Sequence, residues 1–166
     1  MTAAAHKLCM LGDFGVGKTS LVARFVHSTF SDKYLTTIGV KVDTKEITLP
    51  GRPACKLVLW DIAGRSHLDA LNMTYLRGAT ALLLVADGTR ERSLHAALNL
   101  LMQSRSLLPD AVVVLAVNKL DLVEHWEVAP SALAELRRTL PVHETSARSG
   151  EGVEAAFADL AMRLVS

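Results

Sequence analysis

"GDFGVGKTS", residues 12–20, follows a short apolar run and leads into "LVARFV". Three glycines, one lysine and two hydroxyls are crowded into these nine residues. Glycine loses more backbone entropy than any other residue when it is fixed, so such a cluster needs a cause. Gly12, Gly17, Lys18 and Thr19 fit the pattern G-x-x-x-x-G-K-[ST], between a strand, "HKLCMLG", and a helix, "KTSLVARFVH". That context lets the backbone N–H groups of Gly12, Asp13, Phe14, Gly15, Val16 and Gly17 close around phosphate oxygens. The start of the helix, Lys18 to Ser20, adds its positive dipole end. Lys18 supplies a point charge for the β- and γ-phosphates, and Thr19 a hydroxyl for Mg²⁺. The bland alternative is a glycine-rich strand-to-helix turn with a chance lysine. The motif does not choose between ATP and GTP, and a bulky Phe14 stands in its middle.

Outward from this loop, strands and helices alternate. "VKVDTKEITL" and "ACKLVLWD" read as two strands around "PGRP", where Pro50-Gly51 supplies hairpin turn chemistry. "ATALLLVAD" and "AVVVLAVNK" are nearly unbroken apolar runs, as in strands covered by helices on both faces. Between them Leu94, Ala97, Leu98 and Leu101 recur at helical spacing. A helix in "SALAELRRTL", a short strand in "VHET" and a last helix in "GVEAAFADLAMRLV" complete the chain. The pattern predicts an α/β domain over residues 1–166, with a mostly parallel sheet that binds ligands at its carboxyl ends.

Composition bounds the partners. The 166 residues suit one domain, and half are hydrophobic, enough for one core. Lys and Arg total 18 against 17 acidic residues, which argues against nucleic acid and anionic membranes as partners. Cys9 and Cys55 lie in apolar segments and read as buried thiols of a reducing compartment. The six histidines have no metal-ligand spacing. "MTAAAHK" lacks a secretory or myristoylation pattern, "AMRLVS" has no cysteine for prenylation, and no apolar run spans a membrane. The expectation is a cytoplasmic monomer with no membrane anchor of its own.

The base choice rests on "VNKLD", Val117 to Asp121, at the end of an apolar strand. A carboxylate at Asp121 can accept from both N1–H and the 2-amino group of guanine, donors that adenine lacks there. A site built on such bonds discriminates by about 10⁴–10⁵. "WDIAG", Trp60 to Gly64, places Asp61 for the Mg²⁺ shell and the Gly64 amide for a γ-phosphate. In "TSARSG", Ala147 could present its N–H to guanine O6. "YLTTIG", Tyr34 to Gly39, carries Thr36 and Thr37, which also suit ordinary strand entry.

In this order and spacing, the stretches resemble the Ras superfamily of small GTPases over essentially the whole chain. "TTIGV", "WDIAG" and "YLRGAT" look most like the Rab branch or its prokaryotic relatives. The resemblance implies a P-loop G domain: a six-stranded, mainly parallel sheet with one antiparallel strand, five helices, and GTP or GDP bound with Mg²⁺. It makes Thr37 the switch I threonine that joins Thr19 and Asp61 around the ion. Phe30 becomes the aromatic beside guanine, and Tyr34 the tyrosine that closes over the phosphates. Asn118, Lys119 and Asp121 form the base pocket, with Ser146, Ala147 and Arg148 behind them. Effectors, exchange factors and activating proteins would meet residues 30–42 and 62–76. Trp60 and Tyr75 match two of three aromatics that Rab proteins show to effectors, and the third is Val42 here.

Two departures bear on catalysis, for which Lys18, Thr37, Gly64 and Arg65 are the candidates. The family reads D-T-A-G-Q-E where this chain has Asp61, Ile62, Ala63, Gly64, Arg65 and Ser66. Arg65 therefore replaces the glutamine that orients the attacking water. Phe14 fills a position usually held by a small residue. The two are expected to meet beside the γ-phosphate, with Arg65 resting on the Phe14 ring and hydrolysis slow. The alternatives are a GTP-loaded adaptor that rarely cycles, as in hydrolysis-poor Rho relatives, and an ATP-using phosphotransferase, which Asp121 opposes.

Overall fold

Strand β4 (Ala81–Asp87) is buried at every position, and β5 (Val112–Asn118) at all but its first. Neither face of these strands meets water, which is why they read as unbroken apolar runs. The computed structural model describes residues 3–33, 37–65 and 67–166. β1 (Ala4–Gly12), β2 (Val40–Ile47), β3 (Cys55–Ile62) and β6 (Val142–Glu144) complete a sheet of order β2-β3-β1-β4-β5-β6. β2 pairs antiparallel with β3, and the other pairings are parallel. The hairpin turn is as expected: Arg52 N–H donates to Leu49 O at 3.1 Å, and Gly51, after Pro50, has φ +68°.

Alternate residues of β4 feed two cores. Leu83 and Val85 pack with Leu21 and Phe25 of α1 (Lys18–His27) and with Phe157 and Leu160 of α5 (Val153–Leu164). Leu82, Leu84 and Ala86 pack on the other face. They meet Leu94, Ala97 and Leu100 of α3 (Glu91–Arg105) and Leu133 of α4 (Pro130–Leu136). The rings of Phe25 and Phe157 stack at 3.9 Å and 5°, fixing α1 against α5. Cys9 and Cys55 are buried free thiols; burial pushes the Cys9 thiol up to about 12.

No sequence pattern marks the fifth α-helix, α2 (Ala70–Tyr75); it is capped by Asp69, whose carboxylate accepts Asn72 N–H at 2.8 Å. A 3₁₀ turn, Leu120–His125, adds a sixth helical segment. None of the described helices is long and apolar enough to cross a membrane.

The order of strands reverses at β1, which has β3 on one side and β4 on the other. The loop leaving β1 at Gly12 thus opens at the crevice where ligands bind in such sheets. Asp61, next to last in β3, and Asp87 and Asn118, which end β4 and β5, stand around that point.

One polar link also ties the last strand to the last helix. His143 Nε2 lies 2.7 Å from Asp159 Oδ2, and Arg163 Nε donates to Oδ1 at 2.8 Å. Burial acts to raise the Asp159 pKa, but these hydrogen bonds outweigh it and hold the carboxyl below its usual value. A depressed carboxylate contributes stability that is present above the unfolded value and lost as pH falls through the folded one. Asp159→Asn should therefore lower stability at pH 7 by about 0.5–1 kcal/mol. The urea midpoints of variant and wild type should converge as the pH is taken below about 3.9.

Candidate functional site

A peptide unit points its C=O and N–H in opposite directions, so a loop that offers N–H groups to an anion must satisfy its carbonyls elsewhere. The loop from Gly12 to Gly17 does so at every residue. Lys18 Nζ donates to Gly12 O and Asp13 O, both at 3.1 Å. Arg90 donates to Phe14 O at 2.7 Å, Lys119 Nζ to Gly15 O at 3.1 Å and Asn118 Nδ2 to Val16 O at 3.1 Å. Leu21 N–H takes Gly17 O at 2.9 Å as α1 begins. Among the described residues no acceptor receives the N–H groups of Gly15, Gly17, Lys18 or Thr19. Phe14 N–H differs, since it donates to Asp13 Oδ1 at 2.8 Å.

These groups line one end of a cavity of about 450 Å³, whose wall runs from Phe14 and Gly15 through Ser20 and Thr37 to Asp121 and Arg148. Lys18 is buried at its floor, and burial lowers its pKa to about 8 although Asp61 and Asp13 pull it back. Gly17 is required twice over. Its φ is +104°, and a Cβ there would lie 2.3 Å from Asn118 Nδ2. Gly12, Val16 and Ser146 do not reach the cavity wall, and Asp13 faces a shallow polar groove with His67, Arg92 and His95.

Beside the lysine, three oxygen donors converge. Thr19 Oγ1 donates to Asp61 Oδ2 at 2.6 Å and lies 2.6 Å from Thr37 Oγ1, which is 3.5 Å from the same carboxylate oxygen. Asp61 Oδ1 is buried with no partner among the described residues. Burial raises the Asp61 pKa, partly offset by Thr19 and by the charge of Lys18. Two hydroxyls and a carboxylate with an unpaired buried oxygen suit a hard divalent cation that completes its shell with phosphate oxygens and water.

At the other end Ser146 Oγ donates to Asp121 Oδ1 at 2.7 Å, and Arg148 Nε lies 3.6 Å from Oδ2. The carboxylate is thereby aimed while half-buried. Arg148 also pairs with Asp32 and sits 5.0 Å from the Phe30 ring. Asn118 is buried and ties three segments together: besides Val16 O, its Oδ1 accepts from Thr145 Oγ1 at 3.1 Å and from Ala147 N–H at 3.2 Å. The Ala147 N–H, expected for guanine O6, donates to Asn118 here, and Ala147 lines the cavity.

The expected contact between Arg65 and the Phe14 ring is also corrected. The Arg65 guanidinium folds back to donate to Gly64 O at 3.0 Å. Among the described residues, the cations over rings are Lys7 on Trp60, Lys45 on Phe25 and Arg148 on Phe30. The two segments meet through backbone: Arg65 N–H donates to Gly12 O at 3.1 Å, and a Cβ on Gly64 would lie 2.7 Å from Phe14 Cα. Tyr34, Thr36 and Ser66 lie outside the described residues. Sequence reasoning missed Asp87 and Arg90, and also Trp126, whose ring covers Gly88 so closely that a Cβ there would lie 2.1 Å from it. No local pattern marked any of them.

Residues 7–166 match the family model of the Ras family. The chain belongs to the Ras family. Its relatives include the Ras-related protein Rab-30 of Homo sapiens, 36% identical over 163 residues, covering 96% of this chain and 80% of the relative. The GTP-binding protein ypt5 of Schizosaccharomyces pombe is likewise 36% identical over 163 residues, covering 96% and 77%. The Ras-related protein Rab-21 of Mus musculus is 32% identical over 166 residues, covering 98% and 74%. The Rab-like character extends to one surface of this Ras-family chain. Val42 is the cross-strand partner of Trp60, and the Trp60 and Tyr75 rings lie 6.3 Å apart.

Because Asn118 holds the phosphate loop, Thr145 and Ala147 at once, its truncation leaves several buried groups unpaired. Asn118→Ala should lower the stability of the chain by roughly 2–3 kcal/mol. The check is the urea midpoint, compared with that of an exposed substitution such as Met102→Ala.

Proposed function

We propose that this Ras-family chain binds GTP and GDP with Mg²⁺ as a molecular switch whose intrinsic hydrolysis is slow. The observation that carries the reading is one continuous cavity, with loop N–H groups that have no acceptor among the described residues at one end and the aimed Asp121 carboxylate at the other. Gly15, Gly17, Lys18, Thr19 and Ser20 would hold the phosphates. Asp121, Asn118, Lys119, Phe30 and Arg148 would build the guanine pocket. Thr19, Thr37 and Asp61 would hold Mg²⁺, which would neutralise phosphate charge there. Thr37 and the Gly64 N–H would sense the γ-phosphate, ordering residues 30–42 and 62–76 for protein effectors. Exposed Ile38, Val42 and Leu71 give those segments an apolar face.

Slow hydrolysis follows from Arg65. A guanidinium has donors only and cannot accept a proton from the attacking water. Its hydrogen bond to Gly64 O keeps it stored on its own backbone, while Phe14 stands exposed at the mouth of the cavity. The same residues favour a second reading, an adaptor that stays loaded with GTP. The co-purifying nucleotide separates the two: mixed GDP and GTP for a switch, mainly GTP for an adaptor.

Asp121→Asn should weaken GDP binding and favour xanthine nucleotides, whose 2-oxo group suits an amide donor. Displacement of labelled GDP by ATP at similar concentrations would refute guanine selectivity. Single-turnover GTP hydrolysis tests Arg65. Arg65→Ala should change the rate little, and Arg65→Gln combined with Phe14→Gly should accelerate it. A drop of about 10³–10⁵ on Arg65→Ala would instead make Arg65 a built-in arginine finger.

A further inference from the structure

Asp87 ends β4 with its side chain only 2% exposed. A buried carboxylate persists only when it is paired and hydrogen-bonded. Here Lys119 Nζ lies at 2.9 Å and Arg90 Nε at 3.2 Å, while Thr89 donates its N–H at 2.8 Å and its hydroxyl at 2.7 Å. Each cation has a donor left over, and the two reach successive carbonyls of the phosphate loop. Arg90 takes Phe14 O at 2.7 Å and Lys119 takes Gly15 O at 3.1 Å. Lys119 belongs to the base-pocket motif, whereas Asp87 and Arg90 line no part of the cavity.

We infer that Arg90, anchored by Asp87, is a positioning residue that aims the Gly15 N–H at the nucleotide's β-phosphate. The Phe14 carbonyl and the Gly15 N–H belong to one rigid peptide unit, so pulling the carbonyl outward turns the N–H inward. This unit needs an external hold because Gly15, with φ +74°, has the conformational freedom to let it rotate. Arg90 grips it by the backbone. The side chain at position 14 therefore stays exposed and can be as large as phenylalanine without disturbing the loop. This inference rests on the guanine-nucleotide reading.

The test uses the full chain and a fluorescent GDP. Arg90→Ala should release GDP about tenfold faster than wild type, as expected for loss of a charge-assisted bond. Arg90→Lys, whose ammonium can serve the carbonyl or the carboxylate, should recover part of the loss. The ratio of GDP to inosine diphosphate affinity should stay unchanged, because Asp121, which would read the base, is held by Ser146 and Arg148 and not by Arg90. The phosphorus resonance of the bound β-phosphate should move, and that of the α-phosphate should not. A wild-type chain that binds no GDP would overturn the guanine reading and this inference with it. Normal binding by wild type with an unchanged release rate in Arg90→Ala would overturn this inference alone. So would faster release accompanied by an equal loss of base selectivity.

Discussion

Six successive carbonyl groups, Gly12 to Gly17, must all be held away from the phosphate side of one loop, and each has a donor. The donors come from α1, from the segment after β3, from the turn after β4 and from the end of β5. Each β-strand bordering the crevice thus contributes a group to the same loop. The sheet order brings these strand ends together, and the two cores fix their spacing. In this sense the packing of β4 and β5 between helices is a condition for the loop's shape. The converse also holds, since Asn118 and Lys119 are buried or half-buried donors that the loop's carbonyls help to satisfy.

Much of this was legible in the sequence, and the limits have physical causes. Strands buried on both faces announce themselves as apolar runs, and α1 and α3 by their period. α2 spans six residues and buries only Asn72, and the 3₁₀ turn buries none, so neither carries a hydrophobic pattern to read. The phosphate loop, Asp61 and the Asn118–Asp121 stretch were legible because each is a contiguous motif whose chemistry is local. Arg90 was not, because its partner, Phe14 O, lies 76 positions earlier in the chain and is a backbone atom that no residue type advertises. Ala147 shows the complementary limit. Its place in "TSARSG" is readable, but which acceptor its N–H finds depends on the orientation of a side-chain amide on another strand.

The two departures from the family pattern, Phe14 and Arg65, are coupled through the main chain. Arg65 N–H docks on Gly12 O, and Gly64 packs on the Phe14 backbone with no room for a Cβ. Both contacts are independent of the side chains at positions 14 and 65. On the proposed reading, γ-phosphate sensing uses backbone and hydroxyl groups, the Gly64 N–H and Thr37 Oγ1. On the same reading, hydrolysis would need an acceptor on the side chain of residue 65. A substitution at position 65 can therefore remove the acceptor while leaving the sensing machinery in place, because different atoms serve the two tasks. The same separation leaves Arg65 free to rest on the Gly64 carbonyl, because that bond uses the oxygen of Gly64 and not the N–H assigned to the phosphate. On that reading, turnover lost at position 65 need not cost discrimination between GTP and GDP.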